Sequence, residues 1–161
     1  MNGIRWRAAM AIDQGLIDDD HRHLIDIINR FGNYVSRGTV GLADAVDVLH
    51  ALEFYAEAHF EREERLQRLI DYPESQLHHD EHQRLMQTLA EIIAKTRSVA
   101  EADTVEVVPE LIRLLRAWLL DHVIKLDLHM KPYAGLMKTH ARGLPGLREV
   151  QPRLPPSVVH R

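Results

Sequence analysis

At 161 residues, 45% of them hydrophobic, the chain has the size and apolar content of a single domain that buries one substantial core without a covalent staple. Its formal net charge of −4 excludes the basic surface that phosphate neutralisation requires, and so argues against a nucleic-acid partner. No window holds the roughly 18 consecutive apolar residues of a membrane span, and no apolar stretch follows the first charges as it would in a secretory leader; the expectation is a soluble, cytoplasmic protein with no membrane partner.

Residues 1–16 read as an arm. Gly3, Trp6 and Gly15 interrupt any periodicity, while Ile4, Trp6, Met10 and Ile12 are able to pack on something already folded. Asp18, Asp19 and Asp20 then crowd a helix start, where carboxylates cap free amides and suit the positive end of the helix dipole; all three are read as caps. A first helix over about residues 18–37 carries Ile17, His21, Leu24, Ile28 and Phe31 at spacings of three and four. That spacing puts His21 on the apolar face, whereas His23 groups with Ile27 and Arg30 nearer the edge.

Gly38 and Gly41 bracket the turn into a second helix, about 41–70, whose inner stripe is Val46, Leu49, Leu52, Tyr55, Leu66 and Ile70. His59 and Glu63 sit one turn apart on that stripe. An imidazole and a carboxylate facing a core are costly unless something binds them. The helix ends near Asp71-Tyr72-Pro73, and a third runs from there to about Ser98, with His78, His82, Leu85, Leu89 and Ile92 inward. Its two inward imidazoles are four apart, a spacing at which both rings reach one ion from consecutive turns; His79 points away with Gln83 and Met86.

After a polar loop over 99–104, a fourth helix is expected over about 105–130. Pro109 is tolerated in its opening turns, and its stripe is Leu111, Leu114, Leu115, Trp118, His122 and Leu126. Asp127 follows His122 by five positions, about 140° around an ideal helix, and so reaches the core only from the edge of the face or through a locally widened turn. Lys131-Pro132 closes the helix. The Pro- and Gly-rich remainder has a basic excess and reads as a partly disordered tail over 136–161, outside a domain spanning 1–135.

The fold expected is therefore all-α, an up-down-up-down four-helix bundle with an N-terminal arm and a C-terminal tail. Each helix brings inward groups that bind metal, and together they are His21, His59, Glu63, His78, His82, His122 and Asp127. With 11 histidines and no cysteine in the chain, a metal here meets imidazole and oxygen, which favours iron, copper or zinc over an iron–sulfur cluster. One octahedral ion cannot use seven ligands. Two ions can, if both carboxylates bridge and a solvent-derived oxo or hydroxo group is the third bridge: the ion with three histidines is then six-coordinate, and the ion with two keeps a vacant position.

The sequence resembles the hemerythrin family, in particular its single-domain bacterial members. The matching motifs are Ile17-Asp18-Asp19-Asp20-His21, His59-Phe60 with Glu63-Glu64, Tyr72-Pro73 followed by His78 and His82, and Trp118-Leu119 with His122-Val123 and Asp127. The resemblance runs from about Trp6 to Tyr133. It implies two iron ions, the six-coordinate one held by His78, His82 and His122 and the open one by His21 and His59, with Glu63 and Asp127 bridging. It also implies reversible binding of dioxygen rather than catalysis, competition by azide and other small anions, and an apolar oxygen pocket walled by Leu119 and Val123.

Two departures stand out: Asp20 occupies the position before the first ligand where the family usually has Gln, and the tail has no counterpart. Val123 is also smaller than the Ile often found there, which leaves more room over the open iron. The competing class is a di-iron enzyme acting on peroxide or nitric oxide. Oxygen-activating bundles use Glu-x-x-His pairs and more carboxylates, and no histidine here has a Glu three residues before it. A sensor would need an output domain, which is not visible. The oligomeric state stays open.

Overall fold

In a computed structural model, which describes residues 3–37, 41–99 and 104–142, four long helices follow one another: α1 (Leu16–Ser36), α2 (Leu42–Leu69), α3 (Ser75–Arg97) and α4 (Thr104–Lys125). Each packs on its neighbours in sequence, α2 against α3 most extensively, and α4 closes the ring against α1. This is the up-down-up-down bundle that four amphipathic stripes require. No described helix is long and apolar enough to cross a membrane.

The apolar stripes meet in two clusters. The larger contains Leu24, Ile28 and Phe31 of α1, Leu49 and Leu52 of α2, Leu89 and Ile93 of α3, and Ile112 and Leu115 of α4, all buried. The smaller lies at the other end and contains Ile12, Ile17, Leu66, Ile70, Tyr72, Met130 and Met137. On α1 and α2 metal-binding types fall between the two: His21 between Ile17 and Leu24, Glu63 between Phe60 and Leu66. A polar layer is thus sealed above and below by apolar packing.

The arm packs on α1 as its scattered apolar residues suggest, with Met10 and Ile12 buried and the Ile4 N–H and C=O both bonded to the Asn29 side chain. The cap of α1 is Asp13, whose carboxylate accepts from the N–H groups of Gly15, Ile17 and Asp18. The three aspartates read as caps do other things. Asp18 is buried and reaches back to accept from Ile12 and Gln14 of the arm at 2.8 Å each, Asp19 pairs with Arg22 on the surface, and Asp20 turns inward.

α2 ends in a left-handed residue, Asp71 (φ 50°), with the Tyr72 N–H bonded back to the Gln67 carbonyl, a Schellman turn in which Asp substitutes for the usual Gly. That turn folds Tyr72 inward, its ring centroid 5.9 Å from that of His78.

Three features of the C-terminal half differ from expectation. Leu114 is 46% exposed, because the buried arc of α4 runs through Leu111, Ile112, Leu115 and Leu119 and leaves Leu114 on the flank towards α3, where the two helices meet least. The α-helix stops at Lys125 rather than near 130: Leu126 leaves helical geometry (φ −121°, ψ −60°), and a 3-10 stretch takes over at Asp127–Tyr133. Finally, a short helix, α5 (Ala134–His140), continues past residue 136 and inserts Met137, fully buried, beside Met130 in the smaller cluster. Most of the expected tail, from residue 143 onward, lies outside the described residues. Met137→Ala is expected to cost about 2–5 kcal/mol in a denaturant titration, since it empties a sealed site; an unshifted midpoint would show that α5 does not hold that end of the bundle.

Candidate metal centre

Five histidines and two carboxylates, each at most 4% exposed, meet in the layer between the two clusters. Glu63, His78, His82, His122 and Asp127 offer ligand atoms within 4.8 Å of one another, and His21, His59 and Asp127 form a second such group. The imidazoles therefore divide three and two, with Asp127 common to both groups. Its Oδ1 is 2.9 Å from His78 Nε2 and 3.0 Å from His122 Nε2, while its Oδ2 is 3.0 Å from His21 Nε2. One oxygen faces each group. Glu63 is less evenly placed: Oε2 is 3.2 Å from His82 Nε2 and 3.9 Å from His59 Nε2, and Oε1 is 3.9 Å from His78 Nε2.

The break at Leu126 is what delivers Asp127. Five residues beyond His122 on an unbroken α-helix it would face the flank; the tighter 3-10 turn swings it fully inside. The expectation of an edge position or a widened turn is thus replaced by an interrupted ladder.

Several of these groups have no hydrogen-bond partner among the described residues: His21 Nε2, His59 Nε2, both Glu63 oxygens, His82 Nε2, His122 Nε2 and Asp127 Oδ2. Some lie near one another, but not aligned as donor and acceptor. Leaving so many buried polar atoms unpaired would cost several kcal/mol at about 1–3 each. They converge, moreover, on shared points. Apart from the hydrogen bond between His78 Nε2 and Asp127 Oδ1, these inward nitrogens and carboxylate oxygens are left unpaired among the described residues; that is the donor set of a cation, so these residues fit a borderline transition metal.

Two imidazoles are held from behind. His82 Nδ1 lies 2.8 Å from Glu64 Oε1, and His59 Nδ1 lies 3.3 Å from Asp20 Oδ2. A carboxylate at Nδ1 fixes the tautomer that leaves Nε2 unprotonated towards the cavity. Glu64 also takes His79, 3.1 Å away, whose ring is half exposed. Phe60 fills the space beside the site, stacked on His82 with centroids 4.0 Å apart and edge-on to His122 at 5.1 Å. The Trp118 indole N–H donates to the Leu85 carbonyl at 3.1 Å and ties α4 to α3 at this height.

The electrostatics of the metal-free pocket follow from these distances. Burial pushes the Asp127 carboxyl up, but His122, His21 and His78 outweigh it and hold it well below the usual carboxylate range. Burial and the neighbouring Asp127 push Glu63 up, and His82, His59 and His78 bring it below its ordinary value. Burial lowers His21, His78 and His82, yet the carboxylates raise all three above 6.5. His59 alone goes down, because burial, with the charge of His21 added, exceeds the pull of Asp20.

Protons thus stand in for a cation, which sets the pH dependence. Three raised histidines contribute stability to the metal-free protein that is fully present below pH 6.5 and lost as pH rises through their folded values; His59 opposes them with a contribution lost as pH falls. Metal must displace those protons. As pH rises above about 6.5, then, the metal-free melting temperature is expected to fall and the metal affinity to rise. Melting scans with and without metal across that range check it, and parallel curves would refute the competition.

Asp20, Arg62 and Phe60 carry roles that sequence periodicity does not reveal. Arg62 is 7% exposed, three residues beyond His59 and one before Glu63. An arginine on the inner half of a helix needs a partner, which is the signal that could have found it.

A family model described as the Hemerythrin HHE cation binding domain matches residues 14–134. The chain belongs to the hemerythrin family. Two relatives are named bacteriohemerythrin: that of Methylococcus capsulatus is 28% identical over 123 residues, covering 76% of this chain and 89% of the relative, and that of Stenotrophomonas maltophilia is 27% identical over 135 residues, covering 84% and 82%. The matched segment of this hemerythrin domain begins just after Asp13, the cap of α1, and ends at Ala134, the first residue of α5.

Proposed function

We propose that the protein is a non-haem di-iron protein that binds dioxygen reversibly, and that it acts as a binder rather than as an enzyme. The observation that carries this reading is the three-and-two division of the imidazoles about Asp127. On this reading His78, His82 and His122 would hold one iron, His21 and His59 would hold the other, and Glu63 and Asp127 would be shared between them. The two-histidine side would offer its iron fewer protein ligands, and a small molecule or an anion such as azide would bind there. Two ferrous ions, when bound, supply the electron pair that dioxygen takes up.

The chain's own contribution is to hold and to exclude. Glu64 and Asp20 keep the Nε2 atoms of His82 and His59 pointed inward. Leu119 and Val123, 2% and 0% exposed and on either side of His122 in sequence, give the pocket an apolar wall that keeps water from the site. Two carboxylates against five imidazoles is a carboxylate-poor set, which favours binding over activation of oxygen.

The test is to load the protein with ferrous iron without air, count the iron, and record the absorption spectrum before air, after air and after the air is removed. About two irons per chain, with a visible band that appears with oxygen and disappears on its removal, is the expected result. A band that does not reverse, or steady consumption of peroxide or nitric oxide, would overturn reversible binding in favour of an enzyme.

A further inference from the structure

Asp20 and Arg62 are both nearly sealed from solvent, 2% and 7% exposed, and lie 42 residues apart in sequence. A single oxygen of Asp20, Oδ2, accepts from Arg62 Nη1 and lies 3.3 Å from His59 Nδ1. The far nitrogen of the same ring, His59 Nε2, has no hydrogen-bond partner among the described residues and sits 3.9 Å from Glu63 Oε2. Asp20 immediately precedes His21 on α1, and Arg62 immediately precedes Glu63 on α2. The pair therefore joins the two helices that carry the two-histidine side, where the His21 and His59 rings are 4.8 Å apart.

We propose that Asp20 and Arg62 work as one positioning unit for His59: the carboxylate fixes the ring with Nε2 towards the cavity, and the guanidinium cancels the charge that this carboxylate would otherwise add to the site. The inference rests on the reading that His59 faces a bound metal. A carboxylate is a stronger acceptor for an imidazole N–H than a neutral amide and makes the ring a better donor to a cation. Left alone, it would add a further buried anion to Glu63 and Asp127. An unpaired buried charge is unfavourable, and it would also bias the nearer metal towards its higher oxidation state. Arg62 removes that bias while leaving the hydrogen bond in place. The chain thereby gains carboxylate support for one ligand of the open side at no change in the net charge of the site.

Zinc alone serves as the probe, because it binds the same donors without redox chemistry. The measurements are chelator competition for two zinc equivalents, the imidazole Nδ1–H resonances of the zinc-loaded protein, and the melting temperature of the metal-free protein, for the parent, Asp20→Ala, Asp20→Asn, Arg62→Gln and the double variant Asp20→Asn with Arg62→Gln. In Asp20→Ala one zinc equivalent is expected to weaken about 10- to 100-fold while the other stays within about threefold, and one Nδ1–H resonance disappears. Asp20→Asn, which keeps an acceptor oxygen, retains that resonance at a shifted position and weakens the same equivalent less. Arg62→Gln retains it too, and lowers the metal-free melting temperature by more than the double variant does, since the double removes both charges. Asp20→Ala with both equivalents and all resonances unchanged overturns the proposal. So does equal weakening of both, which would make the pair a helix staple only. A parent protein that takes up no pair of zinc ions overturns instead the di-metal reading on which the proposal stands.

Discussion

His82→Ala is expected to strip metal from the protein, whereas His79→Ala, three residues away on the same helix, is expected to leave the metal content at the parent level. The two imidazoles share a neighbour, Glu64, and differ in where their other nitrogen points. His82 is 1% exposed, with Nδ1 on Glu64 and Nε2 3.2 Å from Glu63 inside the polar layer. The His79 side chain is 45% exposed and touches Glu64 from outside. Losing a hydrogen-bonded neighbour of a ligand typically weakens metal binding about 10- to 100-fold, so losing a ligand should weaken it by at least about 100-fold. Metal per chain after dialysis against a weak chelator reads this directly. The metal-free proteins supply the control: His82→Ala also takes from Glu63 its nearest cation, so it should melt lower than His79→Ala even without metal. Equal metal content in the two variants would sink the assignment of His82 as a ligand.

That contrast was legible in the sequence, because a 3.6-residue period separates His78 and His82 from His79 without any tertiary knowledge. The same arithmetic put His21, His59 and Glu63 on inner stripes, and all of them now lie in one buried layer. It could not do so for Asp127. Five positions beyond His122 is the wrong place on a continuous helix, and what brings it in is a break at Leu126 that no spacing announces; Lys131-Pro132 advertised an end several residues too late. Leu114 was misplaced for a different reason. The stripe of α4 is broad enough to include it, and only the way α3 and α4 meet decides which edge is left uncovered. Asp20 looked like a cap among two other aspartates, because its partners, His59 and Arg62, are brought to it by the packing of α2 on α1. α5 follows a proline and contains a glycine, so it read as tail; one methionine docked in the smaller cluster makes it part of the bundle.

Phe60 lies against three imidazoles of the site, and its removal should be felt in stability and in metal retention by separate routes. The side chain is 5% exposed and belongs to the larger core cluster, yet its ring lies flat on His82 (11° between planes), edge-on to His122, and within 5.5 Å of His59 by centroid. Truncating a buried phenylalanine costs about 3–5 kcal/mol, so metal-free Phe60→Ala is expected to unfold at a markedly lower denaturant concentration. The cavity would adjoin polar atoms, and one of that size with partners nearby admits water. Water beside His82 and His122 competes for the Nε2 atoms, so chelators should extract the metal faster although every ligand is still present. Phe60→Leu separates the two effects. Leucine restores most of the buried volume and should recover most of the stability, within about 1.5 kcal/mol of the parent, but it offers no flat face to His82. If extraction from Phe60→Leu is as slow as from the parent, filling the space is all that Phe60 does; if it stays fast while stability recovers, the stacked ring itself holds His82 in the orientation that metal needs. A Phe60→Ala protein as stable as the parent would contradict the packing on which both expectations depend.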